Sequence, residues 1–288
     1  MTERVLYVSD LDGTLLNAKQ EIPAWSREVL NGLIRQGMHF TIATARSYES
    51  VERIVEGLEL KVPVILINGV FIRNMEAGRY LAANYLDRAV AQEILSAYLD
   101  CGLNPIVYTM DAAGEPKVYY RGIFNESEAL YIGNRTAGGD KRFRLVSDYT
   151  EIGEEHVISV NTIDSAARMD AVYEAFRQGG TCVCHYGPDV YAPAYHWLEI
   201  GSPRATKSEA VLALKAMGGY DRVVCFGDNL NDLSMFGASD ECYAVSNAHP
   251  LALEAADASI LSNEENGVAV YLQERFAGEK AVPVQAGG

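Results

Sequence analysis

The chain carries 288 residues, 49 % hydrophobic and 22 % charged, a balance that supports a sizeable core and excludes a disordered chain. Its 39 acidic residues outnumber 24 basic ones and leave a formal net charge of −15. That field repels nucleic acid and anionic membrane surfaces, no run reaches the ~18 apolar residues of a membrane span, and neither partner is expected.

In chain order, "RVLYVS" reads as a short apolar strand. Val5–Val8 is too short for the apolar stretch of a secretion signal, and the five cysteines are an odd, scattered set. Reduced thiols and a cytoplasmic location are therefore expected. Residues 22–37 (IPAWSREVLNGLIRQG) place apolar positions at helical spacing and end in a glycine suited to a C-cap. "MHFTIAT" is the next strand, "SYESVERIVEGLEL" a helix opened by Ser47, and "VPVILING" a third strand. Near-continuous Val/Ile/Leu runs mark parallel strands buried on both faces. Strand–helix alternation with short links predicts an α/β fold with a doubly wound, mainly parallel sheet.

The middle of the chain differs. "VFIRNMEAGRYLAANYL" reads as a hairpin around Glu76-Ala77-Gly78. Helices over Arg88–Cys101, from Asn125, and over Ser165–Gln178 mix with strands at "NPIVYTM", "PKVYYRG", "RFRLVS", "HVISVNTI" and "TCVCHY". This α+β material has the size of a domain. Cys182 and Cys184 fall on one face of a strand and read as packing, as do Tyr108, Tyr119 and Tyr120. His185 and His196 read as structural histidines. The last third returns to α/β alternation: "HWLEIG", a helix over Lys207–Met217, "RVVCFGD", "CYAVS", a helix from Pro250 and "ASIL". The expected organisation is a core domain over 1–86 and 190–276, an inserted domain over 87–189, and a disordered tail over 277–288.

Ligand sites of open α/β sheets lie beyond the carboxyl ends of the strands. There the sequence places Asp10 and Asp12, then Thr44 and Arg46, then Asp228, Asn231 and Asp232, with Lys207 opening a helix. Clustered carboxylates repel one another unless a cation neutralises them. Hard oxygen ligands select Mg²⁺, which keeps waters and a substrate phosphate. A phosphate bridged by the metal and held by Lys207 and Thr44 can be attacked in line by an aspartate, giving an aspartyl-phosphate. A second carboxyl group nearby can protonate the leaving oxygen and later activate water. Asp10 and Asp12 suit that division. Arg46 reads either as a substrate contact or as half of a surface ion pair. Asn68-Gly69 reads either as a strand-exit turn or as part of a pocket floor.

"DLDGTLL", "ATAR", Lys207 and "GDNLND" resemble, in order, the four motifs of the haloacid dehalogenase superfamily of phosphohydrolases. The position of the insertion resembles a C2-type cap, and "ILINGVFI" and "WLEI" resemble the Cof-type branch. The resemblance implies a Rossmann-like core with an inserted α+β cap and a Mg²⁺ cofactor. It implies a small phosphorylated metabolite as substrate, turned over by a monomer or homodimer. Asp10 would be nucleophile and metal ligand. Asp12 would be general acid/base, with its backbone carbonyl on the metal, and Asp228 a further metal ligand. Thr44, Lys207 and Asn231 would bind the phosphoryl group, with Arg46 beside them. Asn231 and Asp232 would support the metal or Lys207. The cap would close over the substrate and set specificity. A sugar phosphomutase of the same superfamily is the alternative. A signalling receiver fits less well, because Asn68 stands where its phosphorylated aspartate would be.

Overall fold

The computed structural model describes residues 3–189, 192 and 194–281. It divides into two compact units, one formed by the described residues up to Ala83 and from Thr206, the other by Asn84–Ala205. The first unit begins with β1 (Val5–Ser9), α1 (Ala24–Arg35), β2 (His39–Ile42), α2 (Tyr48–Ile54), β3 (Val64–Leu66), β4 (Phe71–Asn74) and β5 (Arg79–Ala83). Helix α1 buries Leu30, Leu33 and Ile34 on one face and keeps Arg35 at the negative end of its dipole.

Among described residues the third strand keeps only a single parallel bridge on its β2 side, Ala43 to Ile65, and pairs antiparallel with β4 on the other. The cause is local. Ile67 and Asn68 hold left-handed backbone (φ 47° and 49°), Gly69 follows at 101°, and the chain reverses after three strand residues.

The second unit contains α3 (Arg88–Asp100), β6 (Ile106–Met110), β7 (Pro116–Tyr120), α4 (Glu126–Ala137), β8 (Phe143–Leu145), β9 (His156–Asp164), α5 (Ala166–Phe176), β10 (Val183–Pro188) and β11 (His196–Gly201). Its sheet has the order β10-β11-β9-β6-β7-β8, antiparallel except between β7 and β8. The two-residue period sorts its faces. Val107, Val160, Leu198 and Ile200 join a core with Ile94, Tyr98, Met169 and Val172 of α3 and α5. Ile106, Val118 and Ile163 join a smaller core with Ile132 of α4. "HWLEIG", expected to open the return to the first domain, is β11 and is hydrogen-bonded between β9 and β10. Its inward Leu198 and Ile200 are the alternation of an antiparallel strand rather than a parallel run. The second unit therefore reaches Ala205 instead of ending at 189.

The first unit resumes with α6 (Lys207–Gly218), β12 (Arg222–Gly227), α7 (Leu233–Gly237), β13 (Glu241–Val245), α8 (Pro250–Ala255), β14 (Ala258–Ile260) and α9 (Gly267–Ala281). Its five-stranded sheet runs β14-β13-β12-β1-β2, parallel throughout. α9 continues through 277–281, where disorder was expected. Alanine, glutamate and lysine are strong helix formers and need no apolar stripe to continue a helix already started. The rest of the expected tail, 282–288, lies outside the described residues. Among the described residues no helix is long and apolar enough to cross a membrane.

Gly69 fixes how closely the β3–β4 turn approaches α6. A Cβ on Gly69 would overlap the backbone of Thr206, whereas one on Gly78 (φ 63°) would meet open space. Gly69→Ala is expected to cost at least about 2 kcal/mol in urea unfolding, because strain and overlap add. Gly78→Ala is expected to cost only about 1 kcal/mol. Equal losses would contradict the close approach.

Candidate active site

Strand order brings the functional groups together. Ser9 lies in register with Phe226 of β12 on one side and Ile42 of β2 on the other. The residues that follow Ser9, Phe226 and Ile42 therefore emerge at one level, on strands about 4.8 Å apart. They are Asp10, then Gly227 and Asp228, then Ala43 and Thr44. The Asp10 amide donates to the Phe226 carbonyl at 2.9 Å, which holds the start of the loop to β12.

Asp232 stands a turn beyond Asp228 and is fully buried. Its Oδ2 accepts the amides of Asp228 (2.9 Å) and Asn229 (3.0 Å), as part of a capping box. Its Oδ1 accepts from Lys207 Nζ at 2.6 Å, and Asp10 Oδ1 accepts from the same ammonium at 2.5 Å. Lys207 is the first residue of α6, and a lysine there opposes the helix dipole. Two carboxylates reverse that penalty, and the Lys207 side chain is completely buried between them. Thr206 caps the same helix by accepting the Glu209 amide at 3.2 Å.

Asp228 is held from the other side. Thr14 Oγ1 donates to its Oδ1 at 2.9 Å, and its own carbonyl accepts the His249 amide at 2.7 Å. A Cβ at Gly13 (φ 78°) would overlap the Asp228 carboxylate, so glycine is required for it to lie there. Asn247 Nδ2 fixes the Gly13 carbonyl at 2.8 Å. One oxygen from each of Asp10, Asp228 and Asp232 can be chosen so that all three lie within 4.8 Å.

Three carboxylates thus share one ammonium. Burial raises the Asp10 carboxyl well above its usual range, Asp232 and Asp228 add to that, and Lys207 pulls it down. Burial also pushes Asp228 up to about 6, against the hydrogen bond from Thr14. Burial would lower the Lys207 ammonium, but Asp10 and Asp232 outweigh it and hold it above its ordinary value. Both Asp232 oxygens are committed to Lys207 and to backbone amides. Asp10 and Asp228 are left with oxygen to offer, and an all-carboxylate set with surplus negative charge fits a hard divalent cation.

The remaining residues fall nearby or elsewhere. Thr44 is fully buried beside Asp10, and its Oγ1 accepts the Arg46 amide at 3.1 Å. Asn231 Nδ2 donates to Asn68 Oδ1 at 3.2 Å, so the left-handed Asn68 belongs to this group. The Asp12 carboxylate does not join the cluster. It is half exposed and takes a two-pronged contact from Arg46, Nε at 2.7 Å and Nη2 at 2.5 Å. Arg46 also bonds Ser50 (3.1 Å) and Gln20 (3.2 Å). Thr14 and Asn247 were not singled out in the sequence. Thr14 had a signal, a hydroxyl directly after the glycine of the D-x-D-G-T pattern; Asn247 had none.

A family model described as haloacid dehalogenase-like hydrolase matches residues 7–272. Phosphatase YwpJ of Bacillus subtilis (strain 168) is 27 % identical over 284 residues, covering 92 % of this chain and 97 % of the relative. Pyridoxal phosphate phosphatase YbhA of Escherichia coli (strain K12) is 24 % identical over 277 residues, covering 94 % of this chain and 98 % of the relative. The crystal structure of TM0651 from Thermotoga maritima aligns with a TM-score of 0.75 at 26 % identity, covering 95 % of this chain and 97 % of that one. These full-length likenesses agree with the motifs, the parallel sheet and the carboxylates at its strand ends. The chain belongs to the haloacid dehalogenase-like hydrolases, in their Cof-type phosphatase branch.

Proposed function

We propose that this enzyme is a Mg²⁺-dependent phosphatase of a small phosphorylated metabolite and that it works through an aspartyl-phosphate on Asp10. The observation that carries the reading is the buried Lys207 ammonium set between Asp10 and Asp232, with Asp228 alongside. An ion pair this deep does little for stability compared with apolar packing, so chemistry is the better reason for it. The names of the relatives, phosphatases of small molecules among them, support the substrate class.

Asp10 and Asp228 would hold the cation, which when bound lends positive charge to the phosphoryl oxygens. Lys207 fixes one Asp10 oxygen and leaves the other to attack phosphorus in line. The Thr44 hydroxyl accepts from the Arg46 amide and keeps its own proton to donate to a phosphoryl oxygen. Asp12 is assigned the proton transfers, first to the leaving oxygen and then from water. For that it must leave the guanidinium of Arg46, which occupies both of its oxygens. Asn231 and Asp232 keep Asn68 and Lys207 in place.

Metal dependence is the first expectation. Turnover of p-nitrophenyl phosphate should vanish in EDTA and return with Mg²⁺. Ca²⁺ should restore it poorly, because its looser, higher coordination spoils in-line geometry. Full activity in EDTA would sink the metal assignment.

The two N-terminal aspartates should separate. Asp10→Asn should abolish turnover and give no phosphoenzyme by mass spectrometry. Asp12→Asn should lower kcat about 10²–10⁴-fold while leaving the nucleophile in place. A phosphoenzyme in Asp10→Asn would show that another residue is the nucleophile.

Asp228 gives a test by pH. Its carboxyl, raised from 3.8 to about 6, keeps a proton in the folded chain that the unfolded chain has already lost. Without metal its contribution to stability therefore falls as pH rises through that window, from about 4 to about 6. In EDTA, the melting temperature of wild type minus that of Asp228→Asn should become more negative from pH 4 to pH 6. Mg²⁺ at pH 7 should raise the wild type and not the variant. A flat difference would contradict the raised carboxyl.

A further inference from the structure

The second unit contains a row of polar side chains, one of which buries an oxygen that its own fold does not satisfy. In the β10–β11–β9 ladder, His185 lies directly opposite Glu199, and Glu199 directly opposite Asn161. Residues opposite one another in antiparallel strands project to the same face, so the three form a row about 10 Å long across three strands. This face also carries Tyr108 and Trp197, two residues along from the row's positions in β6 and β11. Tyr131 of α4 meets both: its hydroxyl is hydrogen-bonded to that of Tyr108, and its ring packs edge-on against Trp197 with centroids 5.0 Å apart.

The bonding of the row is incomplete. Asn161 is only 2 % exposed, and its Oδ1 is buried without a hydrogen-bond partner. The side chains of Glu199 and His185 are half-buried, make no hydrogen bond with any described residue, and lie beside one another. Burial holds the Glu199 carboxyl above its ordinary value, with His185 pulling the other way. Burying an amide oxygen without a partner costs stability, and native folds rarely tolerate it without a reason.

We propose that His185, Glu199 and Asn161 form a recognition site for a hydroxyl-rich small molecule. A carboxylate needs donors, an amide needs both a donor and an acceptor, and an imidazole needs one of each. A hydroxyl supplies both roles, so a compound with several hydroxyls along about 10 Å satisfies all three residues. The rings of Trp197 and Tyr131 offer apolar surface to its C–H groups. Two sources fit this chemistry, a free polyol and the organic part of a polyol phosphate. The second source rests on the phosphatase reading; the first does not.

Intrinsic fluorescence of the full chain tests the site. Trp25 and Trp197 are its two tryptophans, and Trp25 is exposed, so Trp25→Phe leaves Trp197 as the reporter. Sorbitol and sorbitol 6-phosphate are titrated separately, in EDTA to exclude turnover. Saturable change in Trp197 emission with either is expected, and Glu199→Gln should weaken it about tenfold, the worth of a hydrogen bond to a charged group. Saturation with sorbitol identifies a free polyol as sufficient; saturation with the phosphate alone identifies the organic part of an ester. Thermal unfolding supplies the readout that a merely structural role would not give. Asn161→Leu should melt at or above the wild-type temperature, since it removes an unpaired buried amide oxygen. No saturation with either probe, equal affinity in Glu199→Gln, or a marked fall in melting temperature in Asn161→Leu would overturn the site. Turnover of p-nitrophenyl phosphate by the wild type judges the phosphatase reading separately.

Discussion

The first unit is organised around an electrostatic problem: three carboxylates at the ends of parallel strands and one buried ammonium. Lys207 answers half of it, by reaching Asp10 and Asp232 at once. The other half is surplus negative charge, which raises the carboxyls of Asp10 and Asp228. The local structure makes this arrangement obligatory. Gly13 leaves room for the Asp228 carboxylate, Gly69 lets the β3–β4 turn lie against the start of α6, and the capping box fixes Asp232. Each of these features lowers local freedom to hold like charges close together, which a fold selected for stability alone would avoid.

Topology explains why residues more than 200 positions apart meet. β1 lies between β12 and β2, and the three ladders share one register at their carboxyl ends. Parallel pairing puts all three carboxyl ends on one side of the sheet, so a residue immediately after each strand enters the same space. The second unit follows a different plan. Its sheet is largely antiparallel, and its two faces bury different cores, one against α3 and α5, the other against α4.

The sequence was most informative where chemistry follows directly on an apolar strand. Asp10, Thr44 and Asp228 are such residues, and the structure sets them side by side because strand periodicity and parallel pairing leave little choice. Lys207 was legible as a cation at the wrong end of a helix, which demands a partner. What the sequence hid depends on backbone turns and on non-local pairing. The reversal after β3 rests on left-handed Ile67 and Asn68, and only Gly69 in that trio announces such a backbone. β11 belongs to the second unit because of partners in β9 and β10, and no local pattern in "HWLEIG" names them. The ion pair of Asp12 with Arg46, 34 positions apart, joins two motifs that each read as pointing to substrate. The row of His185, Glu199 and Asn161 emerges only when three strands are in register.

The account stands on the claim that these strand ends are built to hold a cation, with Asp228 among its ligands. Isothermal titration of Mg²⁺ into metal-free protein at neutral pH tests that claim most directly. One saturable site per chain is predicted in the wild type. It should be lost in Asp228→Ala, with far-ultraviolet circular dichroism showing the fold retained. Absence of binding in the wild type, or the same isotherm in a folded Asp228→Ala chain, would contradict the account.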